Sequence, residues 1–184
     1  ADQLEVRGSQ AGLAFRVFNV TSGTNVNISG LTVANGGSAV GGGGVNNSGT
    51  LNLSNCAVKI NQTTGVGGGG ILNSGALTII GCTISNNVAL ANGGGGIFNT
   101  GALTILNSTI STNTANAGGS GGGINNSGAS VTLRSNTVAG NFADGAGGSI
   151  FNNTTPISIG NTIVADNNTS SAASKDISGA FNSL

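Results

Sequence analysis

Acid–base chemistry needs ionisable side chains brought together, and this chain has few to bring. Its acids are Asp2, Glu5, Asp144, Asp166 and Asp176, its bases are Arg7, Arg16, Lys59, Arg134 and Lys175, and it has no His or Tyr. Cleavage of a polysaccharide would call for paired carboxylates, or for calcium-binding Asp groups beside an Arg or Lys base. Asp144 and Asp166 fall on neighbouring repeats but at different phases, and no two carboxylates share a phase. No Ser sits in a recognisable nucleophile context, so the reading is no enzyme, no catalytic residue and no cofactor. Two Cys without His cannot complete a zinc set, which leaves no metal site.

Cys56 and Cys82 are one repeat apart. Stacked strands would bring their Cα atoms to about 4.8 Å, within the bridging range of about 4.4 to 6.8 Å, so the pair is compatible with a disulfide or with two stacked thiols. Thr83, Thr109, Thr137 and Thr162 read as an outward hydroxyl ladder, and Thr78, Thr104, Thr132 and Ser158 as a second. Such ranks could order water against an ice or glycan surface, the alternative function; as plain solvent-facing strand residues they keep an uncharged sheet in water.

The elements that hold these residues are counted by a glycine run closed by one aliphatic residue. GGGGV ends at Val45, GGGGI at Ile71 and Ile97, GGGI at Ile124 and GGSI at Ile150, at intervals of 26, 26, 27 and 26 residues. A fixed period over most of a chain marks a solenoid, in which each repeat is one coil stabilised by its neighbours. Within a coil, apolar residues alternate with polar ones, the period of strands with one buried face. Leu51, Leu77, Leu103, Val131 and Ile157 form one apolar column, Leu53, Ile79, Ile105, Leu133 and Ile159 a second, and Val58, Ile84, Ile110, Val138 and Ile163 a third. Val26 and Ile28 extend the first two, and Leu4 and Val6 read as one further, shorter coil.

The absence of helical periodicity predicts an all-β chain: a right-handed parallel β-helix, a three-sheet β-solenoid with about 26 residues per coil and roughly seven coils. The cysteine column is expected to continue into Ser108 and Asn161. Two Asn columns are as regular as the core: Asn47, Asn73, Asn99, Asn126 and Asn152 after the glycine run, and Asn61, Asn87, Asn113 and Asn141 after the third apolar column. They read as structural Asn ladders that hydrogen-bond between coils at the corners. Gly49, Gly75, Gly101 and Gly128 complete N-S/T-G turns and are expected at positive φ. The glycine runs themselves admit two readings, a bulged corner or a bare strip against which a neighbour packs.

The segments ISGLTVANGG at residues 28–37, the repeated GGGGI-[FL]N-[ST]G-ALTI and the closing NTIVADN…DISGAFNSL at residues 161–184 resemble bacterial secreted and surface proteins of the CSLREA-domain and choice-of-anchor type. They are similar to polymorphic outer-membrane protein passenger repeats. The resemblance implies secretion, a right-handed β-helix and display on the bacterial cell surface or in the extracellular matrix, and it supplies no catalytic residues.

Five cations against five anions, 5% charged residues overall, give no basic field for nucleic acid, and no apolar run reaches the roughly 18 residues of a transmembrane segment. The chain reads as a single domain, residues 1–184, and as a mature or trimmed portion of a longer secreted protein, since no initiating Met or leader opens it. The expected role is a non-enzymatic extracellular structural scaffold, an adhesin-like stalk or a filament-forming surface protein. Its expected partners are other copies of itself or cell-surface and matrix components.

Overall fold

Successive coils repeat four strands in a constant order. The structure is a computed structural model that describes residues 4–9, 15–128, 130–172 and 174–184, and among these it is all strand, turn and bend. In the coil that begins at Ile71 the strands are Ile71–Asn73, Ala76–Ile80, Thr83–Ser85 and Val88–Ala89. The stacks to which they belong are here called sheets I to IV. Every pairing is parallel and advances by one repeat: Ile71 meets Ile97, Leu77 meets Leu103, Ile84 meets Ile110 and Val88 meets Thr114. Among the described residues, sheets I to III hold seven strands each and sheet IV six. The result is the β-solenoid of about seven turns that the period predicts, with one sheet more than expected. Sheet IV is built from strands of two residues, such as Gln62–Thr63, too short to display alternation.

The interior is a set of aliphatic ladders. Sheet II supplies the Leu51 and Leu53 columns, sheet III the Val58 column, and sheet I a fourth made by the residues that close the glycine runs. Val45, Ile71, Ile97, Ile124 and Ile150 are completely buried. Burying each such side chain contributes about 1.5–3 kcal/mol.

Two sequence assignments shift by register. Val164, not Ile163, follows Val138 in the third column, while Ile163 pairs with Thr137 and is 63% exposed. Leu4 and Val6 belong to sheet III, opposite Leu31 and Val33, instead of extending the sheet II columns. The adjacent Ile163 and Val164 fit either face by alternation alone, and the corner residue Asn161 decides; Leu4 and Val6 share a face, and their pairing fixes the sheet they join.

The corners carry left-handed residues in columns of their own. Between sheets II and III these are Gly30, Asn55, Gly81, Asn107, Ser135 and Asn161; between III and IV they are Asn35, Ile60, Asn86, Thr112, Gly140 and Asp166, all at φ between 48° and 66°. Asn and Gly are the residues that reach this region cheaply, and Ile60 holds it against a steric cost of about 1–2 kcal/mol. The turn glycines Gly49, Gly75, Gly101 and Gly128 do not have the positive φ expected of them. They are needed because a Cβ on each would strike the backbone of the coil before.

The same constraint explains the glycine runs. Each run arches from sheet IV back to sheet I, stacks on its neighbours through bonds such as Gly43 N–H to Gly69 O at 3.0 Å and Gly96 N–H to Gly122 O at 2.9 Å, and is buried. A Cβ on Gly69 would stand 2.5 Å from the Val88 carbonyl and 2.6 Å from the Gly95 oxygen, distances that no side chain tolerates. The runs are therefore corners packed backbone to backbone. Gly69→Ala is expected to lower unfolding stability by roughly 3 kcal/mol, measured as a reduced urea midpoint at constant m-value. Unchanged stability would place this glycine at an open surface.

Candidate functional site

At each corner the backbone turns N–H groups inward, where water cannot reach them. An unpaired buried N–H costs about 1–3 kcal/mol, so every such group needs an acceptor. In the column after sheet III that acceptor is the amide of the next coil. Asn61 N–H and Nδ2 both donate to Asn87 Oδ1 at 3.0 Å, Asn87 repeats this on Asn113 at 3.0 and 2.9 Å, and Asn113 on Asn141 at 3.0 Å. Each Nδ2 also reaches a carbonyl of the coil before, as Asn113 does to Ile84 O at 2.9 Å. The ladder runs one step beyond the expected residues, through Asn167, and there the Asp176 carboxylate takes the place of the next amide, accepting Asn167 Nδ2 at 2.9 Å.

The second ladder stacks Nδ2 on Oδ1 from Asn47 through Asn73, Asn99 and Asn126 to Asn152, with separations of 2.6 to 2.8 Å. All five residues are buried. The ladder also closes the turn that follows it: Asn47 Oδ1 accepts Gly49 N–H at 3.2 Å.

The cysteines belong to a third column of the same kind. Cys56 N–H points to Cys82 Sγ at 3.3 Å, Cys82 N–H to Ser108 Oγ at 3.1 Å, Ser108 N–H to Asn136 Oδ1 at 2.9 Å and Asn136 N–H to Thr162 Oγ1 at 3.3 Å. The two thiols are free and buried. They do what the Ser, Asn and Thr of the same column do. The column passes through Asn136 and Thr162, so Asn161, expected here, is instead the left-handed corner residue before it. Thr162 likewise leaves the outward hydroxyl ladder, which consists of Thr83, Thr109 and Thr137 and ends against Ile163.

The described carboxylates are dispersed. Glu5 pairs with Arg7 at 2.5 Å, Asp144 accepts Ser170 Oγ at 3.0 Å, Asp166 occupies a corner and Asp176 caps the Asn ladder; Asp2 lies outside the described residues. Among the described residues no three His, Cys, Asp or Glu side chains gather where they could hold a metal ion, and no helix is long and apolar enough to cross a membrane. Arg16 serves structure as well, donating to Gly41 O at 2.6 Å and Gly42 O at 2.9 Å. Burial pushes its guanidinium pKa down from the ordinary arginine value.

A concave site lies on the outer face of sheet I. Its outward column reads Asn46, Leu72, Phe98, Asn125 and Phe151. Phe98, Asn125 and Phe151 floor a groove of about 240 Å³, with Asn92, Gly118 and Ser120 of the glycine arches on one side and Ser127 and Asn153 on the other. Both rings are half-buried, and Asn125 is 7% exposed, its Nδ2 donating to Ser120 O at 3.0 Å. The groove forms where the repeat loses its constant length. The arch at 116–123 is one residue longer than that at 90–96, and the next, at 144–149, is two residues shorter than the arch at 116–123. Phe98 and Phe151 fall in one column, two coils apart, through Asn125.

Comparison with protein-family models, with curated proteins and with solved structures found no match to this chain.

The thiol column makes a specific prediction. Burial pushes the Cys82 thiol above its ordinary range, and the folded state therefore favours its neutral form. That preference holds below the unfolded thiol's pKa and is lost as pH rises through the higher folded value. Cys82 in the native protein should thus resist a thiol reagent at mildly alkaline pH and react at once in denaturant. Cys82→Ser, which places Ser108's group one coil earlier, should change unfolding stability by less than about 1 kcal/mol.

Proposed function

We propose that this chain is a non-enzymatic extracellular scaffold, an adhesin-like stalk or filament element of a cell surface. The observation that carries the reading is where its polar groups go. Three stacked polar columns spend their buried amides, thiols and hydroxyls on the stacked side chains and backbone groups of adjacent coils. The described carboxylates are dispersed: Glu5 pairs with Arg7, Asp144 accepts Ser170 Oγ, Asp176 caps the Asn ladder and Asp166 occupies a corner position. A surface held in water by hydroxyls and amides, with 5% charged residues, suits a passive rod better than a reaction centre. The resemblance of the repeats to secreted bacterial surface proteins supports a place outside the cell. Parallel strands in every sheet also let one rod continue into another by adding strands in the same sense, the head-to-tail contact that builds an open filament.

Electron microscopy of the concentrated, purified protein tests the filament form. Extended fibres with an axial spacing near 4.8 Å in fibre diffraction are expected. Monodisperse short rods at all concentrations would remove self-assembly from the account.

A further inference from the structure

We propose that the groove over Phe98, Asn125 and Phe151 is a binding site for a neutral glycan chain. The chemistry of its lining selects this class. Two half-buried aromatic rings offer apolar faces on which the C–H face of a sugar ring can lie, and the exposed side chains of Asn92, Ser127 and Asn153 offer both donors and acceptors to its hydroxyls. Among the described residues no charged one lines the groove, so neither a uronate nor a nucleic-acid phosphate would find a counter-charge there. A peptide joining by strand addition is excluded at this place, because the strands Ile97–Asn99, Ile124–Asn126 and Ile150–Asn152 are paired on both sides.

Geometry adds a reason for a chain. Phe98 and Phe151 project from strands two coils apart, with Asn125 between them, so their attachment points are separated by about 9.6 Å, twice the strand spacing. That is comparable with the two-sugar repeat of an extended β-linked glycan, which would set alternate rings over the two Phe side chains and the intervening unit over the amide. The volume of about 240 Å³ falls below the ~300 Å³ of pockets that enclose a whole drug-sized ligand. An open groove of this size holds a section of a polymer. The site also coincides with the change in arch length, where the regular rod gives way to a recess.

The test is an amide-shift titration of the isotope-labelled full chain with cellohexaose, chitohexaose and laminarihexaose, using hexagalacturonate as the anionic comparison. At least one neutral hexaose should shift the signals of Gly118, Gly119 and Asn125 and leave the Thr83 face unmoved. Hexagalacturonate should bind more weakly. Phe98→Leu and Phe151→Leu should each weaken binding by roughly fivefold, since an aromatic contact is worth about 0.5–1.5 kcal/mol and Leu72 already occupies the equivalent position in the column. Retained melting temperature in both variants separates loss of the site from loss of the fold. The proposal is overturned if millimolar concentrations of all three neutral hexaoses produce no shifts, if affinity is unchanged in both Leu variants, or if the same signals move with protein concentration alone, which would make the groove a contact between copies.

Discussion

A chain that turns sharp corners around a narrow core must find acceptors for the backbone N–H groups those corners drive inward. Hydrophobic burial along the sheets is generous and non-directional, but it does nothing for these groups. Their solution is a side-chain acceptor displaced by one coil: Asn87 Oδ1 for Asn61, Ser108 Oγ for Cys82, Thr162 Oγ1 for Asn136. Because each acceptor residue passes the same demand to the next coil, satisfaction is transmitted along the rod. An amide meets the demand best, since it accepts with Oδ1 while Nδ2 returns to a carbonyl of the coil before.

Once the corners are set in this way, the remaining features follow. A left-handed residue precedes each inward-facing polar group of the Cys56 and Asn61 columns, and most of those positions are Asn or Gly. The return from sheet IV to sheet I passes so close to the adjacent coils that it excludes Cβ atoms, and the glycine runs result. Outside these constraints the surface is free to vary. The recess over Phe98 and Phe151 lies on that outward face, where the column changes from Asn46 to Leu72 to Phe98 without disturbing the pairing beneath.

The period, the aliphatic columns and both Asn ladders were legible because each is a residue type recurring at one phase, and a coil allows only one place for a phase. The errors arose where two phases matched equally well. In NTIVAD, Ile163 and Val164 are both apolar and β-branched, so alternation fits either; the three-residue interval from Val164 to Asn167, the same as from Val138 to Asn141, carries the correct register. Choosing Ile163 also drew Thr162 outward, although its hydroxyl accepts Asn136 N–H inside. Leu4 and Val6 lack a glycine run or Asn beside them and so had no phase marker. The groove was hidden for a different reason. It depends on differences in arch length between neighbouring coils, which a search for constancy averages away.

The amide relay is tested most directly by equilibrium urea unfolding of Asn113→Leu, which keeps a side chain of similar size and removes both polar atoms. The change leaves Asn87 N–H and Nδ2 without their acceptor and Ile84 O without its donor. With several buried groups orphaned at about 1–3 kcal/mol each, a loss of at least about 3 kcal/mol is predicted. Stability within about 0.5 kcal/mol of the parent protein, the range of an ordinary surface substitution, would contradict the account.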